Sequence, residues 1–298
     1  MIEKIILPDR AIIEVKGVDR KSFLQGLISN DINKANNDNL IYAVMLNAQG
    51  RFLYDFFIFE KNDSLFLDCS SSRRDEIFTK LKFYKLRAQV EIIKNDNYEI
   101  EQNFLEITDV ENCLIFNDPR HNDLGKRIYR ALEKSISATN LPLQSQQKIN
   151  EYHYRRICLK IPESEHDLTY EKSIIAEFGF DNLNAVDYQK GCYIGQELTA
   201  RTHYMGQVRK KIFHIKISDS SNIIVDTTRI SQDFDKNNEI SCEGKTIGII
   251  LSTVYYNKEL HALALIKISE DENLQNKNDN AATPINYTIH NNKITIIS

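Results

Sequence analysis

The sequence predicts an α+β fold, and three observations carry that prediction. Over about the first 110 residues, runs with strand character are interrupted by stretches with helical spacing. That strand, helix and strand succession suits an α+β sandwich, not a doubly wound sheet. After Met205-Gly206 only strand readings remain, which predicts a small all-β domain at the C-terminal end. The chain has 298 residues, 42% of them hydrophobic, so roughly two domains of ~150 residues can each bury a core.

Taken in order, Ala11–Val15 reads as a strand and Gly17 as a turn. Asp19 is placed to N-cap a helix whose Phe23, Leu24, Leu27 and Ile28 form one apolar stripe. Ile41–Leu46 and Phe52–Phe59 read as strands around Asn47-Ala-Gln-Gly50, where Asn and Gly suit a tight turn. Leu65–Cys69 is a further strand. Ser71 or Ser72 then caps a helix to about Leu86, with Ile77, Leu81 and Tyr84 on one face. Gln89–Ile93 and Phe104–Thr108 read as strands. A long helical reading covers Leu141 to about Leu159 and breaks at Ile161-Pro162. A polar, irregular stretch leads to the densest motif in the chain, Gln189–His203. Lys211–Ile217, Gly244–Val254, Leu260–Ile268 and Ile285–Ile297 follow as strands, the last folding over Asn291-Asn292. The polar run Glu270–Asn280 has loop composition, and there is no internal repeat.

Composition excludes several classes. With 27% charged residues and a net charge of −4, the chain is no disordered polymer and exerts no long-range pull on nucleic acid or anionic lipid. No stretch approaches the ~20 apolar residues of a membrane span. The first residues, Met-Ile-Glu-Lys, lack a signal h-region and an Arg/Ser-rich transit helix. The five cysteines, at 69, 113, 158, 192 and 242, are odd in number, scattered, and form no C-x-x-C pair. That argues against a disulfide framework, a structural zinc and a resident Cys-ligated cluster. The expectation is a cytoplasmic protein with no metal of its own and no membrane contact.

The sharp chemical signal is Lys190-Gly191-Cys192-Tyr193-Ile194-Gly195-Gln196-Glu197, with Arg201 four residues later. Glycines near the cysteine let the backbone bend and a ligand come close. Lys190 and Arg201 bring positive charge that would favour the Cys192 thiolate. A helix starting near Gly195 would add its N-terminal dipole, with Glu197 and Arg201 as an i,i+4 pair. The same residues also fit a buried cysteine in a Gly-rich turn.

That octet resembles the signature of the YgfZ family of folate-binding iron–sulfur cluster proteins, within the wider aminomethyltransferase (glycine-cleavage T-protein) fold group. Other pieces match as well. They are Gly17-Val-Asp19 with Phe23–Asp31, Asn47-Ala-Gln-Gly-Arg51 with Asp55, and Tyr84-Lys-Leu-Arg87. Asp118-Pro-Arg120 with Leu124-Gly125, and Arg156-Ile157 with Ile161-Pro-Glu163, complete the set. The likeness covers about residues 10–215. Three positions depart from the pattern. Ile175-Ala176-Glu177 replaces Pro-x-Glu, and Lys160 replaces a glycine. Cys158 stands where the transferases place a pterin-gripping glutamate. Gly50–Asp55 also lacks one glycine and one of the two aspartates of the transferase hairpin. Those losses count against aminomethyl transfer and leave folate binding open.

The resemblance implies a T-protein-like three-domain ring. A discontinuous domain would comprise residues 1–46 and 114–206, an inserted α+β domain 47–113, and a β-barrel-like domain 207–298. It implies tetrahydrofolate as cofactor and assembly or repair of iron–sulfur clusters in client enzymes, tRNA-modifying ones included. Cys192 would be the reactive or transient ligand thiol, served by Lys190, Glu197 and Arg201. Asn47, Arg51, Asp55, Tyr152, Glu177, Gly191 and Gln196 would bind folate. A pterin needs an apolar slot, and Tyr152 or Tyr154 offers a stacking face, although both also suit a helix packed on a core. The glutamyl tail needs Arg or Lys, for which Arg51, Arg87 and Arg120 are candidates. The basic runs Arg201–His203 and Arg209–Lys211 suit a tail wall, a weak RNA contact or a solvated edge. Two other readings stay open: a folate-dependent one-carbon transferase, and a non-catalytic folate- or RNA-binding adaptor.

Overall fold

A computed structural model describes residues 4–107, 110–132, 146–206, 208–217, 239–242, 245–268, 287–289 and 292–297. The chain divides into two compact units. The first gathers residues 1–144, 169–174 and 180–201; the second gathers 145–168, 175–179 and 202–298.

The first unit contains β1 (Ile5–Ile6), β2 (Arg10–Lys16), α1 (Arg20–Gln25), β3 (Ile41–Leu46), β4 (Phe52–Lys61) and β5 (Ser64–Ser70). After them come α2 (Arg74–Lys85), β6 (Glu91–Asn95), β7 (Tyr98–Asn103), β8 (Cys113–Asn117) and β9 (Lys126–Ala131). The strands form a five-stranded sheet in the order β3-β4-β5-β2-β6 and a four-stranded sheet in the order β1-β7-β9-β8. Both are antiparallel throughout. Strands β3, β4 and β5 are near-continuous apolar runs because the sheet is covered on both faces. One face carries Ile13, Phe56, Ile58 and Leu67 against Leu24, Ile77 and Leu81 of the two helices. The other turns Phe59 and Phe66 toward Tyr129 and Phe116 of the second sheet, with Phe59 and Tyr129 centroids 4.6 Å apart. The five-stranded sheet draws on both sides of the expected boundary at residue 47, because the β3–β4 hairpin spans it.

The second unit contains α3 (Gln146–Cys158), α4 (Ser164–Asp167) and the C-terminal end of α5 (Gln196–Met205). Its strands are β10 (Lys210–Ile217), β11 (Glu239–Cys242), β12 (Lys245–Tyr256), β13 (Glu259–Lys267), β14 (Tyr287–Ile289) and β15 (Asn292–Ile297). They close into a barrel, β10-β13-β12-β11-β14-β15, in which β15 returns to pair with β10. Closure leaves no open sheet edge to manage. Ile157 of α3 packs on Val254 and Leu263 of the barrel wall.

Several expectations need correction. Phe104–Ile107 is not a strand: the Asn103 side chain accepts from the Leu105 amide (2.9 Å) and turns the chain, and β7 takes the pairing instead. Strands β7, β8, β9 and β11 escape a periodicity reading. In the four-stranded sheet the reason is that buried positions are polar: Glu101, Gln102, Asn103 and Arg127 are each under 5% exposed. Helix α2 begins after Arg73, not at Ser71 or Ser72, since Ser71 is held by Asp9 and Pro8 carbonyls. Asp19 occupies the N-cap position of α1, but its carboxylate accepts from the Gln89 amide (2.7 Å). Thr108, residues 141–145, Gly244, Glu270–Asn280 and Asn291 lie outside the described residues. Among the described residues no helix is long and apolar enough to cross a membrane.

Candidate functional site

The octet turn is built by two interlocking glycines. Gly195 has φ +82°, and a Cβ there would lie 2.3 Å from the Asn47 carbonyl oxygen. Gly50 has φ +76°, and its Cβ would lie 2.6 Å from Leu198 Cβ and 2.9 Å from the Gly195 oxygen. The β3–β4 hairpin tip and the octet therefore meet backbone to backbone, where a side chain would separate them. Asn47 shapes the tip: its Oδ1 accepts from the Gln49 (3.0 Å) and Arg51 (2.9 Å) amides. Gln196, the first residue of α5, accepts from the Tyr193 amide through Oε1 (3.1 Å) and so closes the loop before the helix.

Lys190 anchors the other side. Its Nζ donates to the carbonyls of Gln25 (2.7 Å), Ile28 (2.6 Å) and Asn30 (3.0 Å), and it lies 5.0 Å from the Tyr193 ring centroid. Burial pulls its ammonium down to about 8, so it remains mainly charged at neutral pH. The lysine thus ties the chain after α1 to the octet, and the Ile194 amide adds a bond to the Gly26 carbonyl (3.1 Å).

Cys192 sits at the crest of this turn, and of the five cysteines it alone is exposed. Burial pushes the Cys69 thiol up to about 12 and also raises Cys113 and Cys158. Gly191 is exposed too, with nothing within 4 Å of a Cβ placed on it. Glu197 and Arg201 are exposed on α5. The expected ion pair between them does not close; each side chain is left to solvent.

Arg51 and Asp55 belong to the same hairpin. Arg51 is half-buried, donates from Nη1 to the Lys172 carbonyl (3.0 Å), and has no carboxylate within 4 Å among the described residues. Asp55 lies deeper, 5% exposed, accepting from the Tyr42 hydroxyl (3.2 Å) and facing Arg10 Nη1 at 3.4 Å. Behind it stands a cluster of which the sequence reading named only Arg120. Arg10, Arg120 and Arg127 surround the Phe57 ring at 5.4, 4.8 and 3.8 Å, and Asp68 takes Arg10 (2.7 Å) and Arg127 (2.6 Å). Burial would raise Asp68, but the two guanidiniums hold it below its usual range. The signal was an aspartate inside the otherwise apolar strand Leu65-Phe-Leu-Asp-Cys69. Arg120 is matched by Asp118 in bidentate fashion (3.0 and 2.8 Å). Arg87, by contrast, is exposed beyond the end of α2.

The remaining candidates lie in the second unit. Tyr152 is 3% exposed and its hydroxyl donates to Glu163. Tyr154 stacks on Tyr256 (4.3 Å between centroids), so that face is taken by the barrel. Glu177 is half-buried in a one-turn helix, Ile175–Phe178. The dominant feature here is Arg156, 1% exposed. It donates to His153 Nδ1 (2.9 Å), Asp167 (2.8 Å), the Ile161 carbonyl (3.3 Å) and Ser252 Oγ (3.0 Å). Burial would raise the Glu163 carboxyl, but Arg156, 3.6 Å away, holds it well below the usual carboxylate range. Burial, aided by Arg156, pulls His153 down to about 3 and keeps it neutral. Among the described residues no group of three or more His, Cys, Asp or Glu could hold a metal ion.

No protein-family model matches the chain. Among curated proteins it is 30% identical over 259 residues to the mitochondrial iron–sulfur cluster assembly factor IBA57 homolog of Dictyostelium discoideum, covering 73% of this chain and 64% of that protein. The Neurospora crassa homolog is 31% identical over 228 residues, covering 69% and 52%. Mitochondrial IBA57 of Mus musculus is 30% identical over 236 residues, covering 71% and 65%. The chain thus spans between half and two thirds of these relatives' length. Their names overturn the expectation of a cytoplasmic protein: each of these relatives is named as mitochondrial. Among solved structures, the glycine cleavage system aminomethyltransferase T of Bartonella henselae superposes with a TM-score of 0.66 at 11% identity, covering 89% of this chain and 78% of that one. The fold is therefore that of aminomethyltransferase T: mixed α/β, rich in sheet, with a closed C-terminal barrel.

Proposed function

From the likeness to IBA57 assembly factors, we propose that this chain assists iron–sulfur cluster assembly, with Cys192 as the thiol that meets the cluster or the client. The observation that carries the reading is the presentation of Cys192. It is the exposed cysteine of five, on a turn held by the Gly50–Gly195 interlock and by Lys190. A soft thiolate ligand must be reachable to accept or hand over iron, and a rigid turn keeps it reachable. In this reading Lys190 and Gln196 are positioning residues, while Glu197 and Arg201 offer charges beside the thiol to a client protein, a tRNA-modifying enzyme among the candidates.

Tetrahydrofolate is the second part of the proposal. Arg51 fits the tail of such a ligand: it is half-buried, carries no carboxylate partner among the described residues, and is held in place by the Lys172 carbonyl. Asp55 is engaged with Arg10 and Tyr42, so its role is to shape the hairpin's inner face. Bound folate would bring a reduced pterin and a carboxylate tail, and this chain's part is to orient them.

The test is client maturation with purified components. Wild type is expected to raise the activity of an apo-enzyme that requires a cluster, and Cys192→Ser to lose that effect while folding normally. Full maturation by Cys192→Ser would end the thiol reading. Separately, tetrahydrofolate at ~100 times its dissociation constant should add ~2.7 kcal/mol of stability. Arg51→Ala should weaken that effect without lowering the melting point of the free protein. No shift with wild type would remove folate from the proposal and leave the thiol untouched.

A further inference from the structure

The end of α2 departs from what the fold needs in two ways at once. Leu86 closes the helix with φ +45° and ψ −110°, a positive-φ conformation that glycine ordinarily takes and that strains a leucine. The residue is 85% exposed, so burial of its side chain does not offset that strain. Phe83, one turn earlier, is 75% exposed. Val18 is 77% exposed and is held next to this bend: the Gly17 backbone lies against Gln89 and Val90, and the Asp19 carboxylate takes the Gln89 amide. Local strain that presents apolar groups to water points to a use outside the fold.

The charge around these three side chains identifies the kind of occupant. Lys82, Lys85 and Arg87 flank them, and among the described residues none of the three cations has a carboxylate within 4 Å. The acidic residues of α2 stand in its first turn, at the far end from this patch, and are already engaged: Asp75 pairs with Lys94 (2.5 Å) and Glu76 with Arg73 (3.1 Å). We propose that Lys82–Arg87, together with Val18, is a docking surface for a partner protein whose own surface sets acidic side chains around an apolar pocket. Apolar anchors in a charged rim are how protein interfaces divide affinity from specificity. The three unpaired cations fall short of the cluster of about four to eight basic residues by which anionic bilayers are recognised, and the net charge of −4 gives no long-range pull on RNA.

The experiment places p-benzoylphenylalanine at Phe83 in the full chain, expressed in cells. Thr79, exposed one turn earlier on the same helix, is the control position. Irradiation is expected to give a discrete protein adduct from position 83 and not from 79. Sequencing the cross-linked peptide should show acidic residues beside apolar ones. Lys82→Glu with Arg87→Glu should lower the adduct yield by about tenfold, and Lys82→Arg with Arg87→Lys should preserve it. No adduct, equal yield from 79, a peptide without acidic residues, or indifference to charge reversal would each overturn the proposal. So would co-sedimentation of the purified chain with vesicles containing about one third phosphatidylglycerol, or retention by single-stranded RNA, at physiological salt with the same dependence on Phe83.

Discussion

The turn around Cys192 and the network around Arg156 are both dense in polar groups, yet they are built on opposite terms. At the turn, Lys190, Asn47 and Gln196 all engage backbone groups, and the thiol they frame faces solvent. Around Arg156 the side chains engage one another, and the guanidinium itself is 1% exposed. The first region shapes a backbone to present a reactive atom. The second neutralises charge in order to bury it. The difference teaches that a dense motif marks a functional surface only where the polar groups leave one reactive atom unburied; where they satisfy each other, the motif is structural.

The contrast can be broken most forcefully at Arg156. Arg156→Met leaves the buried Asp167 and the half-buried Glu163 without their cation, a loss of about 3–5 kcal/mol in urea unfolding. The rate at which Cys192 is alkylated should not change. A variant as stable as wild type would show that the network is not what holds the second unit together.

Gly195→Ala comes next. The new Cβ meets the Asn47 carbonyl at 2.3 Å in a left-handed backbone, which should cost about 2–4 kcal/mol. Gly191→Ala, with open space around it, should stay within about 0.5 kcal/mol. Equal melting points for the two variants would dismiss the interlock.

Acid sharpens the comparison further. Glu163 has a folded pKa below its unfolded value, so its contribution is present above pH ~4.5 and fades as pH falls. His153, pulled down to about 3, acts in the same direction. Between pH ~6.5 and 3 the unfolded histidine takes up a proton that the folded one refuses, so stability declines across that window. Stability measured by urea unfolding should therefore fall from pH 7 to pH 4, by about 3 kcal/mol from the histidine alone, and the decline should flatten in His153→Gln above pH 5. A flat profile for wild type would contradict the buried neutral histidine.

The smallest effect is expected at the thiol. Cys192→Ser should change stability by less than about 1 kcal/mol, because an exposed serine is solvated. In wild type, iodoacetamide should label Cys192 first and Cys69 last, since burial raises the latter's pKa to about 12. Cys192 labelling last would remove the distinction between the two regions.

Much of this molecule was legible along the chain. The strands Arg10–Lys16, Ile41–Leu46, Phe52–Lys61 and Ser64–Ser70, the barrel strands Lys210–Ile217 and Glu259–Lys267, and the octet's helix all follow from local spacing. Apolar periodicity and glycine placement are nearest-neighbour properties, so a sequence states them directly. The four-stranded sheet was hidden, because Glu101 is buried only by virtue of Lys4 (2.5 Å) and Arg130 (2.8 Å), residues far away in the chain.

The sequence by itself determined that a cysteine stands in a glycine-rich turn next to a helix start. Only the tertiary structure decided what the neighbouring groups do. Lys190 reads as a thiol activator when its position in the motif is all that is known; folded, its ammonium is directed at three carbonyls some 160 residues earlier. Arg51 and Arg156 look alike as letters, yet one keeps a guanidinium without a carboxylate partner among the described residues and the other is buried among acids. The physical reason is that a charged side chain's role is set by burial and by the partners within a few ångströms. Both are supplied by segments distant in sequence, which local pattern cannot encode.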